Sequence, residues 1–119
     1  MNNHEKINYV EFPCTNIKET KTFFEKVFSW KFREYGPEYI AFSDEGLDGG
    51  FFKSEQVCST KKGSALIVFY SNDLESTKEK IQNAKGTIIK GIYSFPGGSR
   101  FHFSDPSGNE YAVWTDKIV

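Results

Sequence analysis

Thr15-Asn-Ile-Lys-Glu-Thr-Lys-Thr-Phe-Phe-Glu-Lys-Val27 overlays Asn72-Asp-Leu-Glu-Ser-Thr-Lys-Glu-Lys-Ile-Gln-Asn-Ala84 when the sequence is shifted by 57 residues. Ile17 falls on Leu74, Thr20 on Thr77, Lys21 on Lys78 and Phe24 on Ile81. Apolar residues recur at helical spacing in both segments: Ile17, Phe24, Val27 and Phe28, then Leu74, Ile81 and Ala84. Each segment begins beside an Asn or Asp, whose side-chain oxygen can cap the free N–H groups of a first helical turn. The spacing predicts helices over Lys18–Phe28 and Leu74–Ala84, and it predicts a chain built from a repeated unit.

Outward from these helices the pattern changes to strands. Ile7–Phe12 precedes the first helix and Ala65–Tyr70 the second. Lys31–Tyr35, Tyr39–Ser43 and Gly49–Lys53 follow the first; Thr87–Lys90, Arg100–Ser104 and Glu110–Thr115 follow the second. A second echo sets Phe42-Ser-Asp44 against Phe103-Ser-Asp105, at a shift of 61. The order is βαβββ twice, an α+β fold in one domain over 1–119, with units 6–53 and 64–116 and the polar stretch Ser54–Gly63 as linker.

The last two strands carry the densest chemistry. Pro106, Ser107 and Gly108 supply a turn. Alternation then puts Arg100, His102 and Ser104 on one face and Phe101 and Phe103 on the other, and it groups Glu110, Ala112 and Trp114. Composition fits a folded, aromatic-rich domain: 17% of the 119 residues are aromatic. A net charge of −1 lacks the basic footprint that nucleic acid requires. No apolar run approaches the ~20 residues of a membrane span, and the first residues lack a signal-peptide stretch, so the expected location is cytoplasmic. Cys14 and Cys58 form neither a disulfide framework nor a zinc motif and are read as reduced thiols. His4 lies in an end expected to fray.

Asn16-Ile-Lys-Glu-Thr-Lys-Thr-Phe-Phe-Glu-Lys-Val-Phe-Ser-Trp30 and Phe101-His-Phe-Ser-Asp-Pro-Ser-Gly-Asn109 resemble motifs of the vicinal oxygen chelate superfamily. That group holds glyoxalase I, the bleomycin and fosfomycin resistance proteins and the extradiol dioxygenases. The resemblance runs from about Ile7 to Trp114. It implies curved sheets with a helix on each convex side, two units around a cup, and a homodimer in which each cup often takes one unit from each chain.

The resemblance also implies where a divalent metal would be held: on the first and last strand of each unit. Carried over, those positions are Tyr9, Phe51, Leu66 and Ala112, none of them a usual ligand. The usual metal site is therefore expected to be absent, and the sequence implies no cofactor. The same parity assigns Tyr9, Glu11, Tyr39, Val68, Tyr70, Arg100, His102, Glu110 and Trp114 to the cup. Glu11 is read either as a structural partner of Arg100 or His102, or as a general base or a receptor for a cationic or hydroxyl group. His102 is either a satisfied buried histidine or an acid–base group. Arg100 either holds an anionic group or neutralises Glu11. Tyr9 and Trp114 either stack on a planar ligand or fill the cup. The loop Tyr93–Ser99 is either a strand connection or a lid.

Three functions follow as expectations. The first is a glyoxalase- or bleomycin-resistance-like protein that binds a small organic molecule in an aromatic cup without the usual metal. In it Tyr9, Arg100, Glu110, Trp114, Tyr39 and Tyr70 contact the ligand. The second is a metal-free lyase, isomerase or epimerase using Glu11 and His102. The third is a metalloenzyme of the glyoxalase or dioxygenase type with a displaced site drawn from Glu11, His102 and Glu110.

Overall fold

A computed structural model describes residues 2–117. The element order is β1 (Tyr9–Cys14), α1 (Ile17–Phe28), β2 (Phe32–Glu34), β3 (Tyr39–Glu45), β4 (Leu47–Lys53), β5 (Ile67–Tyr70), α2 (Leu74–Asn83), β6 (Thr87–Phe95), β7 (Gly98–Ser104) and β8 (Glu110–Thr115). This is βαβββ twice. The caps are those the sequence offered: the Asn16 side chain accepts from the Glu19 N–H and the Asp73 side chain from the Ser76 N–H.

The repeats form two four-stranded sheets in equivalent orders, β1-β4-β3-β2 and β5-β8-β7-β6. In each, the first strand pairs in parallel with the last, the crossover that a helix between them permits. Helix α1 lies between the two sheets. Phe24 stacks on Trp30 at 4.7 Å and packs on Phe51 of β4 at 5.3 Å and Tyr111 of β8 at 5.6 Å. Phe28 stacks on Phe69 of β5 at 4.5 Å, and Phe12 of β1 meets Tyr111 at 5.4 Å. The apolar faces of both sheets therefore turn inward onto one aromatic core. By strand alternation the opposite faces look outward on opposite sides: Tyr9, Glu11 and Tyr39 on the first sheet, Val68, Tyr70, Arg100, His102, Glu110, Ala112 and Trp114 on the second.

Three local expectations change. The stretch Tyr93–Ser99 is not a free loop or lid. Tyr93 and Phe95 belong to β6 and pair with Arg100 and Gly98. The hairpin closes through Pro96 and Gly97, and a Cβ on Gly98, the first residue of β7, would collide with the Thr115 carbonyl oxygen. The linker is partly structured: Thr60–Lys62 forms one 3-10 turn, and the Cys58 carbonyl accepts from the Glu110 N–H. The turn after β7 also does more than reverse the chain, because it binds the first unit. Asn109 Nδ2 donates to the Pro13 carbonyl at 2.6 Å, and Ser107 Oγ accepts from the Thr15 N–H at 3.2 Å. Among the described residues no helix is long and apolar enough to cross a membrane.

Asp105 anchors that turn from a buried position. It accepts from the Ser107 and Asn109 N–H groups at 3.0 Å each and from the Tyr111 hydroxyl at 2.7 Å. Burial nevertheless pushes its pKa up to about 6, well above the ordinary carboxylate range, against the pull of these donors. A carboxyl whose folded pKa lies above its unfolded value favours the fold most below the unfolded pKa, and that contribution is lost as pH rises through the folded one. Urea unfolding at pH 4 and pH 7 is expected to show this group contributing on the order of 2 kcal/mol less at pH 7. The difference should shrink in Asp105→Asn. An identical pH profile in the two proteins would contradict the assignment.

Candidate functional site

The outer face of the second sheet gathers a connected polar group. β7 places His102 across from Ala112 and Arg100 across from Trp114, and β8 begins with Glu110. His102 Nδ1 lies 2.8 Å from Glu110 Oε2. Glu110 Oε1 accepts from the Thr60 N–H at 2.8 Å and from the Thr60 hydroxyl at 2.9 Å. Burial works to raise the Glu110 pKa. The hydrogen bonds from Thr60 and His102 prevail and hold the carboxyl below its usual range. On the other side of the ring, His102 Nε2 lies 3.1 Å from Arg100 Nη2 and 3.1 Å from the Tyr93 hydroxyl. A guanidinium can only donate, so Nε2 is the acceptor and the ring proton sits on Nδ1, donated to Glu110.

Aromatic groups and a second cation surround this group. Lys90 Nζ lies 4.3 Å from the centre of the Tyr93 ring and the Arg100 guanidinium carbon 5.9 Å from it. Tyr70 packs edge-on against Trp114 at 5.3 Å, and Phe95 lies 6.3 Å from Trp114. Tyr70 is 49% exposed, and its hydroxyl donates to Asp116 at 2.6 Å.

The outer face of the first sheet holds a smaller cluster. The Tyr39 hydroxyl donates to Glu11 at 2.9 Å and lies 2.6 Å from the Tyr9 hydroxyl. Burial, then the bonds to Tyr9 and Glu11, push the Tyr39 phenol well above its ordinary pKa. Glu11 is exposed and solvated, so it does not need the basic partner that its apolar neighbours in the sequence suggested. Its partner is Tyr39, and the acid beside His102 is Glu110. Within one chain Glu11 does not meet Arg100 or His102, because the two sheets turn their apolar faces to each other and carry these groups outward on opposite sides.

The metal positions also need one correction. Phe51 points into the core, 5.1 Å from Phe12, and is fully buried. The outward residue equivalent to Ala112 is Gly50: Glu11 pairs with Gly50 as Val68 pairs with Ala112. The reason is the β3–β4 hairpin. Phe42 pairs with Gly49 whereas Phe103 pairs with Tyr111, so the first hairpin is one residue shorter. Gly50 offers no donor, and a Cβ there would collide with the Tyr39 hydroxyl. Tyr9, Leu66, Ala112 and Gly50 do not fit a divalent metal. Among the described residues no three His, Cys, Asp or Glu side chains are grouped to hold one. The displaced set Glu11, His102 and Glu110 is likewise not assembled within one chain.

Three residues of the second face escaped the sequence reading. Tyr93 falls in a stretch whose glycines and proline read as a loop, although its alternation with Phe95 is a usable strand signal. Lys90 shares the face of His102, its pairing partner, although a bulge between Lys90 and Tyr93 breaks simple alternation. Thr60 lies in the linker, and nothing local marks it. A groove of about 640 Å³ between the β1 and β5 edges, lined by Val10, Phe12, Phe28, Trp30 and Phe69 among others, is largely apolar and reaches the second cluster at Tyr70.

A family model described as the Glyoxalase/Bleomycin resistance protein/Dioxygenase superfamily matches residues 6–113. No curated protein matches the sequence. Among solved structures, the chain is similar to a glyoxalase-related enzyme from Fulvimarina pelagi, with TM-score 0.78 and 13% identity over 93% of this chain and 88% of that one. It is similar to a glyoxalase/bleomycin resistance protein/dioxygenase family enzyme from Burkholderia phytofirmans PsJN, with TM-score 0.76 and 16% identity over 92% and 98%. A lactoylglutathione lyase from Agrobacterium tumefaciens gives TM-score 0.69 and 15% identity over 93% of each chain. At these identities the likeness is one of fold.

Proposed function

Because the chain belongs to the Glyoxalase/Bleomycin resistance protein/Dioxygenase superfamily, we propose that it binds a small organic molecule on the outer face of its second sheet, without the metal usual in that group. The observation that carries this reading is the side-by-side placement of an oriented polar set, Glu110, His102, Arg100 and Tyr93, and an aromatic wall, Tyr70 and Trp114. The aromatic pair supplies contact area, and the polar set fixes orientation. A homodimer completes the site: the first sheet of a second copy covers this face and brings Tyr9, Tyr39 and Glu11 to it. The exposure of Tyr9, Val68 and Tyr70 on these faces supports the arrangement.

A second reading, a metal-free lyase, isomerase or epimerase, is favoured by one specific feature. Glu110 holds the His102 proton on Nδ1, so the Nε2 lone pair is the ring's acceptor, occupied by Arg100 Nη2 and the Tyr93 hydroxyl until a substrate displaces them. A proton alpha to a substrate carbonyl can pass to Nε2. Glu110 then stabilises the imidazolium, and Arg100, released from Nε2, holds the developing enolate oxygen.

Trp114 reports on the site, since Trp30 is buried in the core. Small aromatic compounds that bind are expected to change its fluorescence saturably. Tyr70→Ala should weaken that binding about tenfold while leaving the fold intact, because it removes one face of an aromatic contact at an exposed side chain. Native mass spectrometry of the purified protein should show a retained small molecule. A Trp114 signal indifferent to every compound, with no retained molecule, would end the binding reading. A monomer by light scattering at micromolar concentration would remove the shared site.

A further inference from the structure

Resting on that reading, we propose that the molecule bound on the second outer face presents an oxyanion, a carboxylate or phosphate-type group, to Arg100 and Lys90. Both are cations without a carboxylate: among the described residues neither lies within ion-pair distance of an acid. The acids nearby are committed. Glu110 spends one oxygen on Thr60 and the other on His102, and Asp116 accepts the Tyr70 hydroxyl. Lys90 and Arg100 both approach the Tyr93 ring, so two positive charges border one aromatic side chain on this face.

Arg100 is also prepared for a ligand. Nη2 rests on His102, whose ring is fixed in turn by Glu110 and Thr60, so the guanidinium is oriented in advance. Nε is buried and has no hydrogen-bond partner, a cost the fold carries with nothing of its own to offset it. An oxyanion closing on the guanidinium supplies the missing negative charge, and the planar fork suits a two-oxygen acceptor. The Tyr93 hydroxyl, free to turn from Nε2, donates to the same group. The aromatic wall formed by Tyr70 and Trp114 selects a planar or apolar body attached to the anion.

Isothermal titration of the protein with benzoate, phenylphosphonate, benzamide, benzylamine and inorganic phosphate tests this. Benzoate or phenylphosphonate should bind at least about tenfold more tightly than benzamide or benzylamine. Arg100→Met should weaken the anions about tenfold and benzamide far less. Lys90→Met, at an exposed strand position that keeps the fold, should weaken the anions severalfold and flatten their salt dependence. If Arg100→Met fails to fold, Lys90→Met decides the matter. Comparison of inorganic phosphate with phenylphosphonate shows whether the aromatic body contributes. If benzamide binds as well as benzoate, or if neither substitution touches anion binding, the oxyanion inference falls while small-molecule binding stands. If no probe binds and the Trp114 signal responds to no other compound, both fall.

Discussion

Phe24→Ala is expected to cost about 3–5 kcal/mol of folding stability, the range for truncating a fully buried phenylalanine. Phe24 is fully buried on α1 and touches both sheets at once, through Phe51 and Tyr111, besides Trp30 and its helix neighbours Phe23 and Phe28. A void there is shared by both units, so neither can collapse alone to fill it. A domain of this size has a total stability of about 5–15 kcal/mol, so the variant should sit close to unfolding. Urea denaturation followed by circular dichroism measures the loss as a fall in midpoint at constant slope. Phe24→Leu keeps most of the volume and should lose under about 1.5 kcal/mol. A loss of less than about 1 kcal/mol for alanine would mean that α1 is not the common core of the two sheets.

The helices were legible because their signals are local: apolar spacing and capping residues fix them before any packing. The width of the buried face of α1 was not. The sequence reading took Ile17, Phe24, Val27 and Phe28 as the stripe, yet Phe23 is 1% exposed and lies 6.1 Å from Phe103 of β7. A helix on one sheet shows a single stripe, whereas a helix between two sheets needs an arc wide enough for both. The inward placement of Phe51 was missed for a related reason. The repeat shift was carried across a hairpin one residue shorter, and a single-residue slip moves a side chain to the other face.

Much of the candidate site could also be read from alternation, but its partnerships could not. Arg100, His102, Glu110 and Trp114 share a face, as expected. The acid assigned to His102 was Glu11, on the reasoning that a carboxylate among apolar residues needs a base. That reasoning fails where the strand is open to water on one side: Glu11 is solvated and bound by Tyr39. Of the two glutamates, Glu110 is the buried one. Its stabilisation comes from Thr60, a linker residue 50 positions away that nothing in the sequence connects to it.

Asn109→Asp is the sharpest test of how the two units are joined. Asn109 is fully buried. Its side chain joins two segments: Nδ2 donates to the Pro13 carbonyl of β1 at 2.6 Å and Oδ1 accepts from the Cys58 N–H of the linker at 2.9 Å, while its backbone N–H donates to Asp105. At neutral pH asparagine alone among side chains of this size offers a donor and an acceptor on separate atoms here. Asn109→Ala should leave the Pro13 carbonyl and the Cys58 N–H unpaired, at about 1–3 kcal/mol for each group. Asn109→Asp keeps the shape and the bond to Cys58 but sets a carboxylate oxygen against the Pro13 carbonyl, close to Asp105. At pH 7 that buried, uncompensated charge should cost about 3–5 kcal/mol. Protonation restores a donor at the same point, so the aspartate variant should regain most of its stability near pH 4, whereas the alanine variant should not. Urea midpoints of the three proteins at the two pH values measure this. If Asn109→Asp is as stable as the unsubstituted protein at pH 7, the turn after β7 does not clasp the first unit.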